Sequence, residues 1–315
     1  MPRRTIATAC AVLALAAGAG LAACSADSDS AASGGKLGVV TSFYPLQFVT
    51  EQVGGADVAV TNLAKPGAEP HDLELSARQV GEVGDAKVIV YLRGFQPAVD
   101  AAVDQVGGDR ALDVATTVPL LKAGESAHVH EGEEPAHEEE SGLSTDPHVW
   151  LDPTRLATIG DAIAQRLGAA DPDHAATYTA NAAALRGKLE TLDREYAAGL
   201  ATCQRHELIT SHAAFGYLAD RYHLEQVGLS GLTPEDEPAP QRLAAVAQEA
   251  REHGATTIFF ETLVSPKVAD TIAREVGAKT AVLDPIEGLQ PGATGDYFSI
   301  MRDNLAAIRT ALGCS

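Results

Sequence analysis

Residues Pro172 to Ala201 are rich in Ala, Leu, Arg, Glu and Lys and poor in β-branched residues. This is the pattern of one long helix. Asp171-Pro172 supplies a cap followed by a first-turn proline. Thirty residues of helix extend about 45 Å, long enough to bridge two bodies rather than cover one sheet. On both sides of this segment, short β-rich runs alternate with helical patterns. The strand candidates before it are Leu37–Ser42, Asp57–Asn62 and Lys87–Leu92, and those after it are Glu207–Ser211, Thr256–Glu261 and Lys279–Asp284. Helical patterns such as Ser76–Val83 and Pro240–His253 lie between them. Such alternation implies βαβ units with a parallel sheet in each half. The roughly 280 residues from Leu37 onward are enough for two domains.

The N-terminus reads as a processing segment. Arg3 and Arg4 precede an apolar run from Ile6 to Leu21, and small residues lead into Leu21-Ala22-Ala23-Cys24. That is the layout of a secretory signal, too short and Ala-rich for a lasting span. Leu-Ala-Ala-Cys resembles the bacterial lipobox, so 1–23 is expected to be a lipoprotein signal peptide. Cys24 is then the lipid-bearing first residue, anchored by burial of acyl CH₂ groups at about 0.8 kcal/mol each. Residues 24–36 read as a flexible tether. Cleavage leaves 21 basic against 43 acidic residues, a net charge of −22 in place of −20. That balance argues against nucleic acid as a partner. It suits a cation only as a long-range field. Cys203 and Cys314 remain after cleavage. In an oxidising compartment they read as one disulfide, and they lack the close spacing of a metal-binding pair.

The stretch 123–142 has a composition of its own. It holds Glu125, Glu131, Glu133, Glu134, Glu138, Glu139 and Glu140 together with His128, His130 and His137, and no Lys or Arg. Such a segment has nothing with which to build a core and reads as a loop, either a solvated acidic one or a loose trap for metal ions.

Three other histidines lie where strands hand over to helices. His71 follows the second strand candidate within Lys65-Pro66-Gly67-Ala68-Glu69-Pro70-His71. His148 sits in Asp146-Pro147-His148-Val149-Trp150-Leu151-Asp152-Pro153, beside the single Trp, and His212 follows Leu208-Ile209-Thr210-Ser211. Ligands of open α/β sheets bind beyond the carboxyl ends of the strands. Two facing sheets would bring these loops into one interdomain cleft. Separations of 77 and 64 residues carry no local zinc-finger signature, so spacing alone says little.

Four runs carry a family resemblance: Phe43-Tyr44-Pro45, Glu69-Pro70-His71, Asp146 to Pro153, and Ser211-His212-Ala213-Ala214-Phe215-Gly216-Tyr217. Over residues 37–315 the chain resembles the zinc- and manganese-binding solute-binding lipoproteins of metal ABC importers. The resemblance implies an α/β fold with two lobes, each a mostly parallel sheet flanked by helices, joined by one long linking helix with the metal in the interdomain cleft. The expected boundaries are 37–170 for the N-terminal lobe, 171–202 for the linking helix and 203–315 for the C-terminal lobe. It also implies His71, His148 and His212 as metal ligands. The implied cargo is Zn²⁺, the implied partners are a permease and its ATPase, and the implied receptor is a monomer on the extracytoplasmic membrane face. Members with a carboxylate at the place of His212 are usually manganese receptors. Imidazole suits Zn²⁺, whereas Mn²⁺ is better served by oxygen.

A tetrahedral Zn²⁺ needs a fourth donor. Within Asp284-Pro285-Ile286-Glu287 the family uses either acid or leaves the place to water, and Glu287 is favoured over Asp284. Glu69, Asp152 and Glu261 are candidates to orient the imidazoles. Three histidines with an open position would also serve a zinc hydrolase. His206-Glu207 is followed by Thr210, and His130-Glu131 by Glu134, so the H-E-x-x-H helix is missing. No G-x-S-x-G elbow or nucleophile–base pair is found. The expectation is a binding protein, not an enzyme. Rival readings are a manganese or iron receptor on the same fold, and a surface adhesin.

Overall fold

Apolar β-branched runs form the sheets. In the computed structural model, which describes residues 35–124, 143–234 and 238–315, strands β1 (Leu37–Thr41), β2 (Val58–Asn62), β3 (Val88–Tyr91) and β4 (Ala111–Asp113) make one sheet in the order β2-β1-β3-β4. Strands β5 (Glu207–Thr210), β6 (Glu225–Gly228), β7 (Thr257–Phe260) and β8 (Lys279–Val282) make a second in the order β6-β5-β7-β8. Every pairing between these strands is parallel. The two sheets thus share one topology. In each, the chain reverses direction across the sheet beside the first strand, which opens a crevice at the strands' carboxyl ends. The leader, Cys24 and residues 125–142 lie outside the described residues, as does most of the tether.

Helices α1 (Tyr44–Gly54), α2 (Ala77–Asp85) and α3 (Pro97–Ala102) connect the first sheet, and α6 (Gly216–Tyr222), α7 (Pro240–Glu252) and α8 (Lys267–Val276) the second. Local chemistry explains where several helices begin. Ser76 and Gln79 form a capping box on α2, satisfying two otherwise orphaned backbone donors. The Asp152 carboxylate caps α4 (Pro153–Ala170) by accepting from the amides of Thr154 and Arg155.

The long helix is α5 (Ala175–Leu200), 26 residues or about 39 Å. It begins three residues later than the sequence suggests. Asp171 does not cap it: Pro172–His174 forms a 3₁₀ turn, and the Asp171 carboxylate instead takes hydrogen bonds from Tyr178 Oη and His174 Nδ1, both at 2.7 Å. Along α5, Tyr178, Ala182, Leu185, Leu189, Leu192, Tyr196 and Leu200 are buried at spacings of three and four, the stripe of a helix with one apolar face. The first part of the stripe serves the first lobe, where Leu185 meets Gly160 of α4 and Asn181 Nδ2 donates to Val53 O of α1. The second part serves the second lobe. Tyr196 stacks on Tyr222 at 5.0 Å, and its hydroxyl donates to Met301 O in α9 (Tyr297–Leu312). One apolar cluster therefore runs from Val39 through Trp150 and Leu189 to Phe259 and Met301, crossing between the lobes.

A disulfide joins Cys203, just after α5, to Cys314, just after α9. It closes a loop with a sequence separation of 111 residues, so it restricts the unfolded chain strongly. Replacing both cysteines by Ser is expected to lower the stability of the metal-free protein by about 2–4 kcal/mol. Urea unfolding of the two proteins checks this. No helix among the described residues is long and apolar enough to cross a membrane.

Candidate metal centre

His212 follows β5 with Ser211 between them. Its carbonyl accepts from Thr210 Oγ1 at 2.7 Å and Gln226 Nε2 at 3.2 Å, which fixes the backbone at this point. Its ring Nδ1 lies 2.8 Å from Glu261 Oε1, at the carboxyl end of β7, and Ser211 Oγ donates to the same oxygen. With Nδ1 engaged by a carboxylate, Nε2 is left facing the crevice.

His148 comes by a different route. It is not at the end of a strand. It precedes a 3₁₀ turn, Val149–Leu151, that leads into α4. Asp146 Oδ1 accepts from the His148 amide at 2.9 Å and sits 2.8 Å from its Nδ1. One carboxylate thus sets both the backbone and the ring. Trp150 ties the turn to the other lobe, donating from Nε1 to Pro285 O, while Tyr297 Oη donates to Trp150 O, both at 2.7 Å.

His71 lies in the long connection after β2. Glu69 Oε1 accepts from its amide at 2.9 Å, and Gln96 Nε2 donates to Pro70 O at 3.1 Å. The ring meets Phe95 edge-on with centroids 4.5 Å apart. Gly67 has φ +86°, and a Cβ there would come within 3.0 Å of Pro291. Only glycine fits this approach, and its amide donates across the lobes to Leu289 O at 2.8 Å.

Glu287 follows β8. The preceding residue, Ile286, is buried and has φ +61°, an uncommon backbone state for a β-branched residue. Asp284 stabilises that turn, with Oδ1 accepting from the Ile286 amide at 2.7 Å and Oδ2 from Thr262 Oγ1 at 3.1 Å. The turn aims Glu287 at the histidines.

The Nε2 atoms of His71, His148 and His212 lie 3.5, 3.1 and 3.2 Å from Glu287 Oε1, and those of His148 and His212 lie 3.4 Å apart. All four candidate donor atoms fall within 4.8 Å of one another. A tetrahedron with metal–ligand bonds of about 2.0–2.1 Å has edges of roughly 3.3–3.4 Å. The cluster is therefore already near the size of a tetrahedral zinc shell. His148, His212 and Glu287 are at most 1 % exposed and His71 is 6 % exposed, which makes the His71 side the least enclosed.

Burial favours neutral groups, and the charges within the cluster oppose it. Burial pushes the His71 pKa below its usual value, outweighing the nearby Glu287. Burial also acts to lower His148, but hydrogen bonds to Asp146 and Glu287 carry it above the usual value. His212 goes well above, because Glu261 and then Glu287 overcome the same burial. Burial would lift the Glu287 carboxyl, yet His71, His148 and His212 bring it well below the ordinary range. His148 and His212 thus hold a proton more readily than free imidazole, and a bound cation would have to displace it.

The structure brings together His71, His148, His212 and Glu287 and leaves Asp284 out, since its carboxylate holds the turn instead. Of the three candidate orienting acids, Glu261 touches an imidazole, Glu69 braces a backbone amide and Asp152 caps a helix. Asp146, which holds His148, was not singled out from the sequence. Its signal was present in Asp146-Pro147-His148, an Asp two residues before an amide it can accept from.

The family model described as zinc-uptake complex component A periplasmic, ZnuA, matches residues 39–311. The chain belongs to the ZnuA family. It is 36 % identical over 315 residues to the ZnuA protein of the high-affinity zinc uptake system of Bacillus subtilis, covering 96 % of this chain and 95 % of that one. It is 38 % identical over 287 residues to the zinc-binding protein AdcA of Streptococcus pyogenes serotype M1, covering 87 % of this chain but 56 % of AdcA, so it spans little more than half of that relative. Among solved structures, the Zn(II)-bound ZnuA-like domain of Streptococcus pneumoniae AdcA has 36 % identity and a TM-score of 0.73, with 88 % of this chain and 99 % of that one covered. The laminin-binding protein Lmb of Streptococcus agalactiae, described as having adhesin and metal-transporting activity, has 31 % identity and a TM-score of 0.77 over the same shares. These ZnuA-like neighbours share the two-lobed parallel-sheet architecture.

Proposed function

We propose that this chain is the extracytoplasmic receptor of a zinc ABC importer, held to the membrane through lipid on Cys24. In this reading it captures Zn²⁺ with His71, His148, His212 and Glu287 and passes it to a permease and its ATPase. The observation that carries the reading is the convergence of three Nε2 atoms on one Glu287 oxygen at 3.1–3.5 Å. The donor set favours Zn²⁺ over Mn²⁺, because three imidazoles and one carboxylate oxygen suit a borderline ion better than a hard one. No step changes the metal chemically.

Capture follows from the loops. The carboxylates behind His148 and His212 hold their Nδ1 atoms, so each Nε2 lone pair is available once its proton leaves. The apolar cluster across the lobes and the ties from Gly67 to Leu289 and from Trp150 to Pro285 oppose wide lobe opening. Entry and release then depend on movement of the His71 and Glu287 loops, and docking to the permease would drive the latter.

Native mass spectrometry with Zn²⁺ and Mn²⁺ in competition tests the reading. One Zn²⁺ per chain is expected to dominate, and preference for Mn²⁺ would sink the zinc assignment. Glu287→Gln is expected to weaken Zn²⁺ binding by at least the ten- to hundredfold typical of a lost outer partner. Asp284→Asn keeps hydrogen-bonding atoms for both Ile286 and Thr262, and should leave affinity within about threefold, roughly the size of a weak hydrogen-bond change. A reversed ranking would move the fourth ligand to Asp284.

A further inference from the structure

Tyr217 is fully buried near the start of α6, five residues after His212, and its hydroxyl reaches across to the other lobe. It donates to Asp146 O at 2.7 Å and accepts from the Leu121 amide at 2.9 Å. Leu121 and Asp146 are themselves paired, the Asp146 amide donating to Leu121 O at 2.9 Å. The chain continues as an antiparallel pair, with Lys122 opposite Thr145 and the Ala123 amide donating to Ser144 O. One phenol thus grips both arms of chain that enter and leave residues 125–142. The Arg155 guanidinium covers the ring at 5.0 Å and also bonds to Asp152 and Pro119 O, so the ring has little freedom to turn. The same Asp146 fixes the amide and ring of His148.

From this arrangement we propose that Tyr217 is a positioning residue for metal binding. Through Asp146 it sets His148 of the first lobe against His212 of the second, and it ties the paired arms around residues 125–142 to the site. The inference rests on the zinc-receptor reading above. A hydrogen bond from a hydroxyl to a backbone carbonyl carries no charge, so its effect is geometric. Without it, the 121–146 pair can shift relative to α6, and the His148 Nε2 to His212 Nε2 separation of 3.4 Å is no longer imposed.

The test is a double-mutant cycle on Zn²⁺ affinity, measured by competition with a chromophoric chelator. Tyr217→Phe keeps the ring and its Arg155 contact and removes only the hydroxyl. It is expected to weaken Zn²⁺ binding about tenfold, the lower end of the range for groups behind a ligand. In an Asp146→Ala background, which removes the oxygen that holds the His148 amide and ring, the same change should have little further effect, whereas with Glu261→Ala, which acts on His212, the losses should multiply. Co²⁺ bound to Tyr217→Phe should show a weakened and shifted visible d–d band. Equal Zn²⁺ affinity for wild type and Tyr217→Phe, or losses that multiply with Asp146→Ala, would overturn the proposal. A wild-type protein that binds no Zn²⁺ would instead remove the receptor reading and this one together. Amide exchange in the wild-type protein gives an independent check. The Leu121 and His148 amides should slow together when Zn²⁺ is added, and protection of His148 alone would count against the coupling.

Discussion

Replacing His148 or His212 by Ala is expected to weaken Zn²⁺ binding by about two to three orders of magnitude. A four-ligand zinc site contributes about 10–16 kcal/mol, or roughly 2.5–4 kcal/mol per ligand, and each 1.4 kcal/mol is a factor of ten. The structure adds a reason for the effect to be large at these two positions. Each ring is held by a buried carboxyl group, Asp146 behind His148 and Glu261 behind His212, and these would lose their partners along with the metal. His71 has a different environment, with a phenylalanine edge against its ring, and sits on the least enclosed side. His71→Ala should therefore be the mildest of the three. Chelator competition on the three variants checks the order, and a His71 variant that loses the most would show that the two carboxyl-backed rings do not dominate the site.

The second large effect is that of pH. His148 is held above the usual histidine pKa and His212 well above it, while each must be neutral to bind a metal. Protons therefore compete at both rings, and affinity should fall by about ten- to a hundredfold for each pH unit once they are protonated. Because both values are raised, the fall begins above the reference histidine value of about 6.5. Stability follows the same sign. In the metal-free protein the raised His212 stabilises the fold at low pH, and that contribution is lost as pH rises through its folded pKa. The lowered Glu287 stabilises above the ordinary carboxylate range and loses its effect as pH falls through its depressed value. Zinc has the opposite preference to His212, so the rise in melting temperature caused by Zn²⁺ should widen from pH 6 to pH 8. Calorimetry in buffers of different ionisation enthalpy should show protons released on binding, and none released would contradict this electrostatic picture.

Much of the architecture could be read from residue types, because burial on both sheet faces demands continuous apolar runs. Val88-Ile89-Val90-Tyr91 and Thr257-Ile258-Phe259-Phe260 are of this kind. β6 is not. Its Glu225-Gln226-Val227-Gly228 includes a fully buried Gln226 that is tolerated because Thr210 Oγ1 and His212 O accept from its amide group. A strand made possible by its neighbours' hydrogen bonds leaves no hydrophobic signature. β4 is three residues long and too short for one. The long helix was legible from composition, but its start was not, because Asp171 is used by Tyr178 rather than by a backbone amide.

At the site, local contexts pointed to the histidines, and a family resemblance joined them into one set. Position after a strand was the right expectation for His212 and the wrong one for His148, which comes from the turn entering α4. Asp146 had a local signal, but Tyr217 had none. The role of Tyr217 depends on which backbone atoms of the other lobe its side chain meets, at separations of 71 and 96 residues.

In the proposed receptor, one zinc ion sits among four donor atoms, the Nε2 atoms of His71, His148 and His212 and a Glu287 carboxylate oxygen. A crystal grown with Zn²⁺ and measured on both sides of the zinc absorption edge tests it directly. One strong anomalous peak is expected in the crevice, about 2.0–2.2 Å from the Nε2 atoms of His71, His148 and His212 and from a Glu287 carboxylate oxygen. A peak held by other residues, or a crevice without one while zinc is bound elsewhere on the chain, would contradict it.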